Sequence, residues 1–251
     1  MSVQLMNSLT WKEIADLDRE NTFCVIPISS LEQHGYHLPV GADDFILEYS
    51  LKSLEKIHLD SDRNILILPP IKYGNSFEHL SFPGTITLKT KTIMSIIEDI
   101  VESLSINGFK NIICLNSHGG NTAVLHAIAQ DFRYKYDVKI LNIDLWASNF
   151  FEDADEFIKT NFVTDVHAGE IETSLLMYTN PDLVKEKACS CEELANIVNF
   201  NEFDYSWLSK DVSKCGVIGD ATDSCIETGE LIANYIDLKI EKIFNSILKK
   251  F

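Results

Sequence analysis

The sequence predicts an α/β fold, a three-layer α/β/α arrangement around a mostly parallel central sheet, and three observations carry that prediction. Short apolar runs of strand length alternate with segments of helical period, which is the pattern of a parallel sheet covered on both faces. The candidate functional motifs all fall just after predicted strands, where open α/β sheets bind their ligands. The chain has 251 residues, 45% of them hydrophobic, enough to bury a core and at the upper end of one ordinary domain. A single domain spanning 1–251 is therefore expected, with no repeat, low-complexity tract or linker to divide it.

Thr22 to Ser29 (TFCVIPIS), Asn64 to Pro69 (NILILP), Asn111 to Asn116 (NIICLN) and Val138 to Asp144 (VKILNID) read as buried strands. Between them, Ile46 to His58 places Ile46, Tyr49, Leu51, Leu54 and Ile57 on roughly one helical face. Thr90 to Ile106 does the same with Ile93, Ile96, Ile97, Ile100, Val101 and Leu104, and Ala123 to Tyr136 continues the alternation. Glu170 to Thr179 reads as a helix stopped by Asn180-Pro181, and Glu230 to Lys250 as a long amphipathic closing helix. Cys189 to Asp220, rich in Asn, Ser and Lys with Phe203, Tyr205 and Trp207, reads as an excursion serving as a lid or subunit contact.

Charge narrows the function classes. Lys and Arg total 21 against 38 Asp and Glu, a net charge of -17, which argues against a nucleic-acid or anionic-membrane surface and for a small-molecule or peptide partner. The N-terminus lacks a basic segment followed by an apolar stretch, and no apolar run reaches the roughly 18 residues that span a bilayer, so a soluble protein is expected. Six cysteines are too sparse for a disulfide framework, and Cys24 and Cys114 lie inside predicted strands. Reduced, buried thiols in a cytoplasm fit that usage. Cys189-Ser190-Cys191 lacks the spacing of a metal pair and reads as a surface loop.

SLEQHGYHLPVGADD, after the first strand, carries Glu32, His34, His37, Asp43 and Asp44. Carboxylate and imidazole together are the ligand set of Zn²⁺, Mn²⁺ or Fe²⁺. Singly, each residue has an ordinary explanation: Glu32 and His34 as a solvated loop, Asp43 or Asp44 as a helix cap. Five such groups beside Gly35 and Pro39 favour a metal. In NSHGGN, His118 ends the third strand and two glycines either admit a ligand or make a tight turn. DVHAGEIETS adds His167, Glu170 and Glu172; two residues apart on a helix, the glutamates must diverge, unless both serve as first-turn acids.

The motifs EQHGYHLPVGAD, EHLSFPGT, NSHGGN, HAGEIETS and GVIGDATDS resemble, in order and approximate spacing, those of the creatininase (creatinine amidohydrolase) family, from about Trp11 to about Leu231. The resemblance implies a creatininase-like α/β fold, a homo-oligomer, usually a hexamer, and metal-dependent hydrolysis of C–N amide or cyclic amide bonds. It implies two divalent metal ions per chain (Zn, Mn or Fe), with Glu32, Asp43 and His118 on one, Asp43 bridging and His34 on the second. His167 matches the family's acid/base histidine, with Glu170 as a candidate to orient it. Creatininases proper carry a glutamate ligand where this chain has Gly120, and a glutamate where it has Val166. Glu172 is the candidate to complete the second metal. These departures argue against creatinine as substrate and toward branches that keep the GGN form: a formamide-cleaving deformylase, a mycofactocin peptidase and an inosose-type hydrolase. Ser76, Glu78 and His79 are candidate substrate contacts, whereas His37 and Asp44 are expected to brace the loop and cap the following helix. The competing reading is a non-catalytic metal-dependent binder or assembly subunit, favoured by Gly120 and Val166.

Overall fold

Each strand run predicted from the sequence lies in one sheet. The computed structural model describes residues 3–59, 61–147, 149–154, 156–160, 164–185, 190 and 206–251. Its strands are β1 (Val3–Leu5), β2 (Thr22–Ile28), β3 (Asn64–Ile67), β4 (Asn111–Asn116) and β5 (Lys139–Asp144), in the order β1-β3-β2-β4-β5. Every neighbouring pair is parallel, with Phe23 in register with Ile65 and Asn111, and Ile113 with Leu141. β1 was not anticipated: three residues, VQL, are too short to show a period.

The helices are α1 (Trp11–Ala15), α2 (Ala42–Lys56), α3 (Thr90–Ile106), α4 (Thr122–Tyr136), α5 (Glu170–Thr179), α6 (Ser209–Val212) and α7 (Ile226–Lys250). The short α1 follows a capping box between Thr10 and Glu13. α2 begins four residues before the predicted Ile46, because Asp43 and Asp44 sit in its first turn, where the helix dipole favours acids. Asp43 is thus mounted on a helix rather than in a loop.

Alternation along the strands separates two cores. Phe23, Val25, Ile65, Ile67, Ile113 and Leu115 face α2, α5 and α7, represented by Leu47, Ile171, Ile236 and Phe244. Cys24, Ile26, Leu66, Ile112 and Cys114 face α3 and α4, represented by Ile97, Val101, Leu125 and Ile128. The sheet is therefore covered on both faces, and each such fully buried side chain contributes roughly 1.5–3 kcal/mol. Burial pushes the Cys24 and Cys114 thiols up to about 12, which leaves them inert packing groups.

The parallel strands all release their chains at one edge, and backbone pairing ties the emerging loops together. Leu31 bridges Ile86, and His167 bridges Ile218 through reciprocal hydrogen bonds of 2.9 Å. The HAGEIETS and GVIGDATDS segments thereby support one another. The expected excursion at 189–220 lies partly outside the described residues, as do Cys189, Cys191, Phe203 and Tyr205. No helix among the described residues is long and apolar enough to cross a membrane.

Candidate metal centre

Asp43 projects from the first turn of α2 with each carboxylate oxygen facing a different histidine. Oδ1 stands 3.5 Å from His34 Nε2, and Oδ2 stands 3.3 Å from His118 Nδ1. The far nitrogen of each ring is tied to a main-chain carbonyl: His34 Nδ1 to Glu32 at 3.1 Å and His118 Nε2 to Asn75 at 2.8 Å. A carbonyl only accepts, so in the neutral rings those nitrogens carry the protons and bare lone pairs face Asp43. His34 Nε2 and Asp43 Oδ2 are buried with no hydrogen-bond partner. Converging lone pairs without a hydrogen between them fit a divalent cation, and imidazole with carboxylate is a suitable donor set for Zn²⁺, Mn²⁺ or Fe²⁺.

Two donor groups share Asp43. Glu32, Asp43 and His118 form one, and His34, Asp43 and Glu172 the other, each with ligand atoms within 4.8 Å of one another. Glu32 leaves the end of β2 with Oε2 3.4 Å from His118 Nε2, and it also accepts from Ser30 Oγ at 3.2 Å. Glu172 Oε2 accepts from the Ala168 N–H at 2.6 Å and faces His34 Nε2 at 3.8 Å. Ala168 takes φ 55, a left-handed conformation unusual for alanine, which places that N–H under Glu172.

The charges follow from these neighbours. Burial alone would lower His34, but Asp43 and Glu172 outweigh it and hold the ring up at about 10. His118 is likewise raised well above the usual imidazole range, as Glu32 and Asp43 overcome its burial. Burial pushes Glu172 up to about 7, with the His34 ring opposing and the Asp43 carboxylate adding to the rise. Despite its own burial, Glu32 is held well below the usual carboxylate range by His118, His79 and His167.

The His167 ring packs against two others, its centroid 4.1 Å from that of His79 and 4.3 Å from that of His34, both at a tilt. His167 Nδ1 and His79 Nε2 both face Glu32 Oε1, at 3.6 Å and 3.5 Å. Burial dominates there and drives His79 down to about 4 and His167 well below the ordinary range. Glu32, Asp43, His79, His118, His167 and Glu172 line one cavity of about 270 Å³, walled also by Glu78, Trp146, Val166 and Trp207.

Glu170 points elsewhere. Its Oε2 accepts from the N–H groups of Lys159 and Thr160 and from the Thr160 hydroxyl, so it secures that turn, and the group bonded to His167 is instead the Gln33 carbonyl at 2.7 Å. This corrects the expectation that Glu170 orients His167; residues two apart on a helix diverge, and Glu172 is the one that faces the cavity. Ser76 also departs from its expected role: its hydroxyl meets Ser30 Oγ and lies 3.3 Å from His118 Nε2, bracing the cluster behind the cavity wall. Glu78 does line the cavity, and burial raises its carboxyl. His37 bonds Thr173 Oγ1 at 2.8 Å, and Asp44 pairs with Lys72 at 2.7 Å instead of capping α2. Gln33, Trp146 and the Asn75 carbonyl were not singled out from sequence: Gln33 lies within the first motif, Asn75 shortly before EHLSFPGT, and Trp146 just past the fourth strand.

Gly120 has a steric reason. A Cβ there would stand 2.2 Å from the Asn75 carbonyl oxygen and 2.5 Å from His118 Nε2, so no side chain fits without moving the backbone.

The family model for creatininase, described as creatinine amidohydrolase, matches residues 7–243. The chain belongs to the creatininase family. This creatininase-family hydrolase is 31% identical over 210 residues to the mycofactocin precursor peptide peptidase of Mycolicibacterium smegmatis, covering 83% of this chain and 78% of the relative. It is 25% identical over 264 residues to the creatinine amidohydrolase of Pseudomonas putida, covering 98% and 96%. A solved structure titled "Creatininase Mn" superposes with a TM-score of 0.75 at 22% identity, covering 99% of both chains, which establishes the shared fold.

Proposed function

We propose that this creatininase-family chain, acting as one domain, is a metal-dependent amidohydrolase that cleaves a C–N amide, formamide or cyclic amide bond of a small molecule or short peptide. The observation that carries it is Asp43, whose two oxygens each face a histidine ring nitrogen beside a cavity that Asp43 itself lines. Glu32, Asp43 and His118 would hold one divalent ion, and His34, Asp43 and Glu172 a second, with Zn²⁺, Mn²⁺ or Fe²⁺ suited to the donors. A titled manganese creatininase and a titled zinc-zinc form among similar folds support that choice. When bound, such cations lower the pKa of water and polarise a carbonyl.

The chain's own groups supply the rest. His167, with Nε2 anchored on the Gln33 carbonyl, presents Nδ1 to the cavity, where it takes a proton and returns it to the leaving nitrogen. Trp146 and Trp207 offer flat apolar surface to the substrate, with Glu78 and His79 as polar contacts. Val166 puts an aliphatic wall beside His167. That wall and the closed space at Gly120 favour a peptide or acyl substrate over creatinine, in keeping with the similarity to the peptide peptidase. Cytoplasmic residence and a homo-oligomer, a hexamer as in the family, complete the reading. The free thiols of Cys24 and Cys114 agree with a reducing compartment.

The test is elemental analysis of the purified chain together with amine release from formamides, cyclic amides and short peptides. Two metals per chain with turnover supports the enzyme, and His118→Ala should abolish turnover while circular dichroism stays native. No metal on purification and no affinity for Zn²⁺ or Mn²⁺ would overturn it. Metal without turnover on any of these substrates selects the non-catalytic binder.

A further inference from the structure

Gln33 sits between Glu32 and His34 in sequence, is 5% exposed, and has its amide orientation fixed from both ends. Oε1 accepts from the Gly35 N–H at 2.9 Å, and Nε2 donates to the Gly216 carbonyl at 2.9 Å. A flipped amide would set donor against donor and acceptor against acceptor. Gly216 is what admits this arrangement: its φ is +91, and a Cβ there would stand 1.9 Å from Gln33 Oε1.

The same Nε2 lies 2.8 Å from His79 Nδ1. That ring nitrogen must then accept, which puts the ring proton on His79 Nε2. An imidazolium would set a second hydrogen against that of Gln33, so the contact itself selects the neutral ring. Ser209 Oγ also lies 2.7 Å from Nδ1. The Nε2–H of His79 consequently faces Glu32 Oε1 across 3.5 Å. Meanwhile the main-chain carbonyl of Gln33 accepts from His167 Nε2 at 2.7 Å, leaving Nδ1 of that ring open. Two neighbouring imidazoles thus face one carboxylate oxygen with opposite polarity.

We propose that Gln33 is a positioning residue: its side-chain amide fixes the Nε2–H of His79 toward the metal ligand Glu32, and its carbonyl keeps His167 Nδ1 open as the proton acceptor. The inference rests on the metal-site reading above. His79 steadies Oε1 of Glu32 and leaves Oε2 to the side shared with His118. Outer groups that orient a ligand in this way typically change metal affinity or activity about 10–100-fold.

A purely architectural His79 would act through Nδ1, where Gln33 and Ser209 bind, whereas the proposed role acts through Nε2. The amide nitrogen of His79→Gln reaches the Nε2 position, and the amide of His79→Asn reaches only the Nδ1 position. Zinc affinity is measured for both by competition with a chromophoric chelator at fixed pH. The expected result is His79→Gln close to wild type and His79→Asn weaker by about 10-fold or more. The reverse order, or equal affinities, overturns the proposal. Independently, long-range ¹H–¹⁵N spectra of the metal-free wild type, with ring signals assigned by loss in His79→Gln and His167→Gln, should show both rings protonated on Nε2. A His79 ring protonated on Nδ1 overturns it. A wild-type chain that takes up no zinc would defeat the metal-site reading itself, and the metal-free spectra would still decide the tautomers.

Discussion

His34 and His79 are equally buried and both border Glu32, yet their surroundings drive them apart. Burial disfavours charge on each; at His34 the Asp43 and Glu172 carboxylates reverse that and hold the ring at about 10, whereas at His79 burial prevails over Glu32 and the ring falls to about 4. The far side of each ring differs in the same sense. His34 Nδ1 is bonded to a carbonyl, which leaves Nε2 free to meet positive charge, while His79 Nδ1 meets the Gln33 amide, which leaves no place for a second proton. The cluster therefore holds one ring set to meet positive charge and one set to stay neutral. Burial is common to both, so the neighbours of each ring, the carboxylates at His34 and the Gln33 amide at His79, decide its role.

The largest effect should come from removing the group shared by both donor sets. Asp43→Asn keeps the shape but loses the charge between His34 and His118, and zinc affinity should fall by more than about 100-fold, beyond the range of an outer group. Isothermal titration with zinc measures this; retained affinity would remove Asp43 from the centre of the site.

The pH dependence of stability comes next. In the metal-free chain His34 is raised from 6.5 to about 10 and Glu172 from 4.5 to about 7. Both folded-state values lie above the unfolded ones, so each contribution is full below the unfolded pKa and is lost as pH rises through the folded one. A bound cation replaces the proton at those lone pairs and removes the loss. The stability gap between zinc-loaded and metal-free protein should therefore widen from about pH 7 to pH 9, by on the order of 3 kcal/mol. Scanning calorimetry at the two pH values reads it, and a gap that narrows would contradict the charge assignment.

A smaller, separable effect is expected at Glu170. Glu170→Gln weakens its bonds to Lys159 and Thr160 and should cost roughly 1.5–3 kcal/mol in denaturant unfolding, with zinc affinity unchanged. A loss of zinc binding or turnover without loss of stability would restore it to the cavity. The smallest effect belongs to Asp44, next to Asp43 in sequence but paired outward with Lys72. Asp44→Asn should change stability by less than about 1 kcal/mol and leave zinc affinity intact, which makes the two adjacent aspartates a direct contrast.

Much of this molecule was legible in the order of its residues. Runs such as NIICLN announce strands because a strand buried on both faces has to be apolar throughout, and the helices α3 and α4 announce themselves because a core-facing stripe recurs every 3.6 residues. The motif residues could be placed at one rim because parallel strands all end on the same side. Local pattern also required Glu170 and Glu172 to diverge. It could not say which of them turns inward, since that depends on where α5 lies against the sheet. Nor could it find β1, which is too short to have a period, or the role of Gln33. That role depends on Gly216 and His167, 183 and 134 residues away in the chain. Sequence alone determined which kinds of side chain gather at the rim. Tertiary structure decided which nitrogen of each ring faces the cavity, because that is set by the hydrogen-bond partner behind the ring, and folding brings those partners from distant parts of the chain.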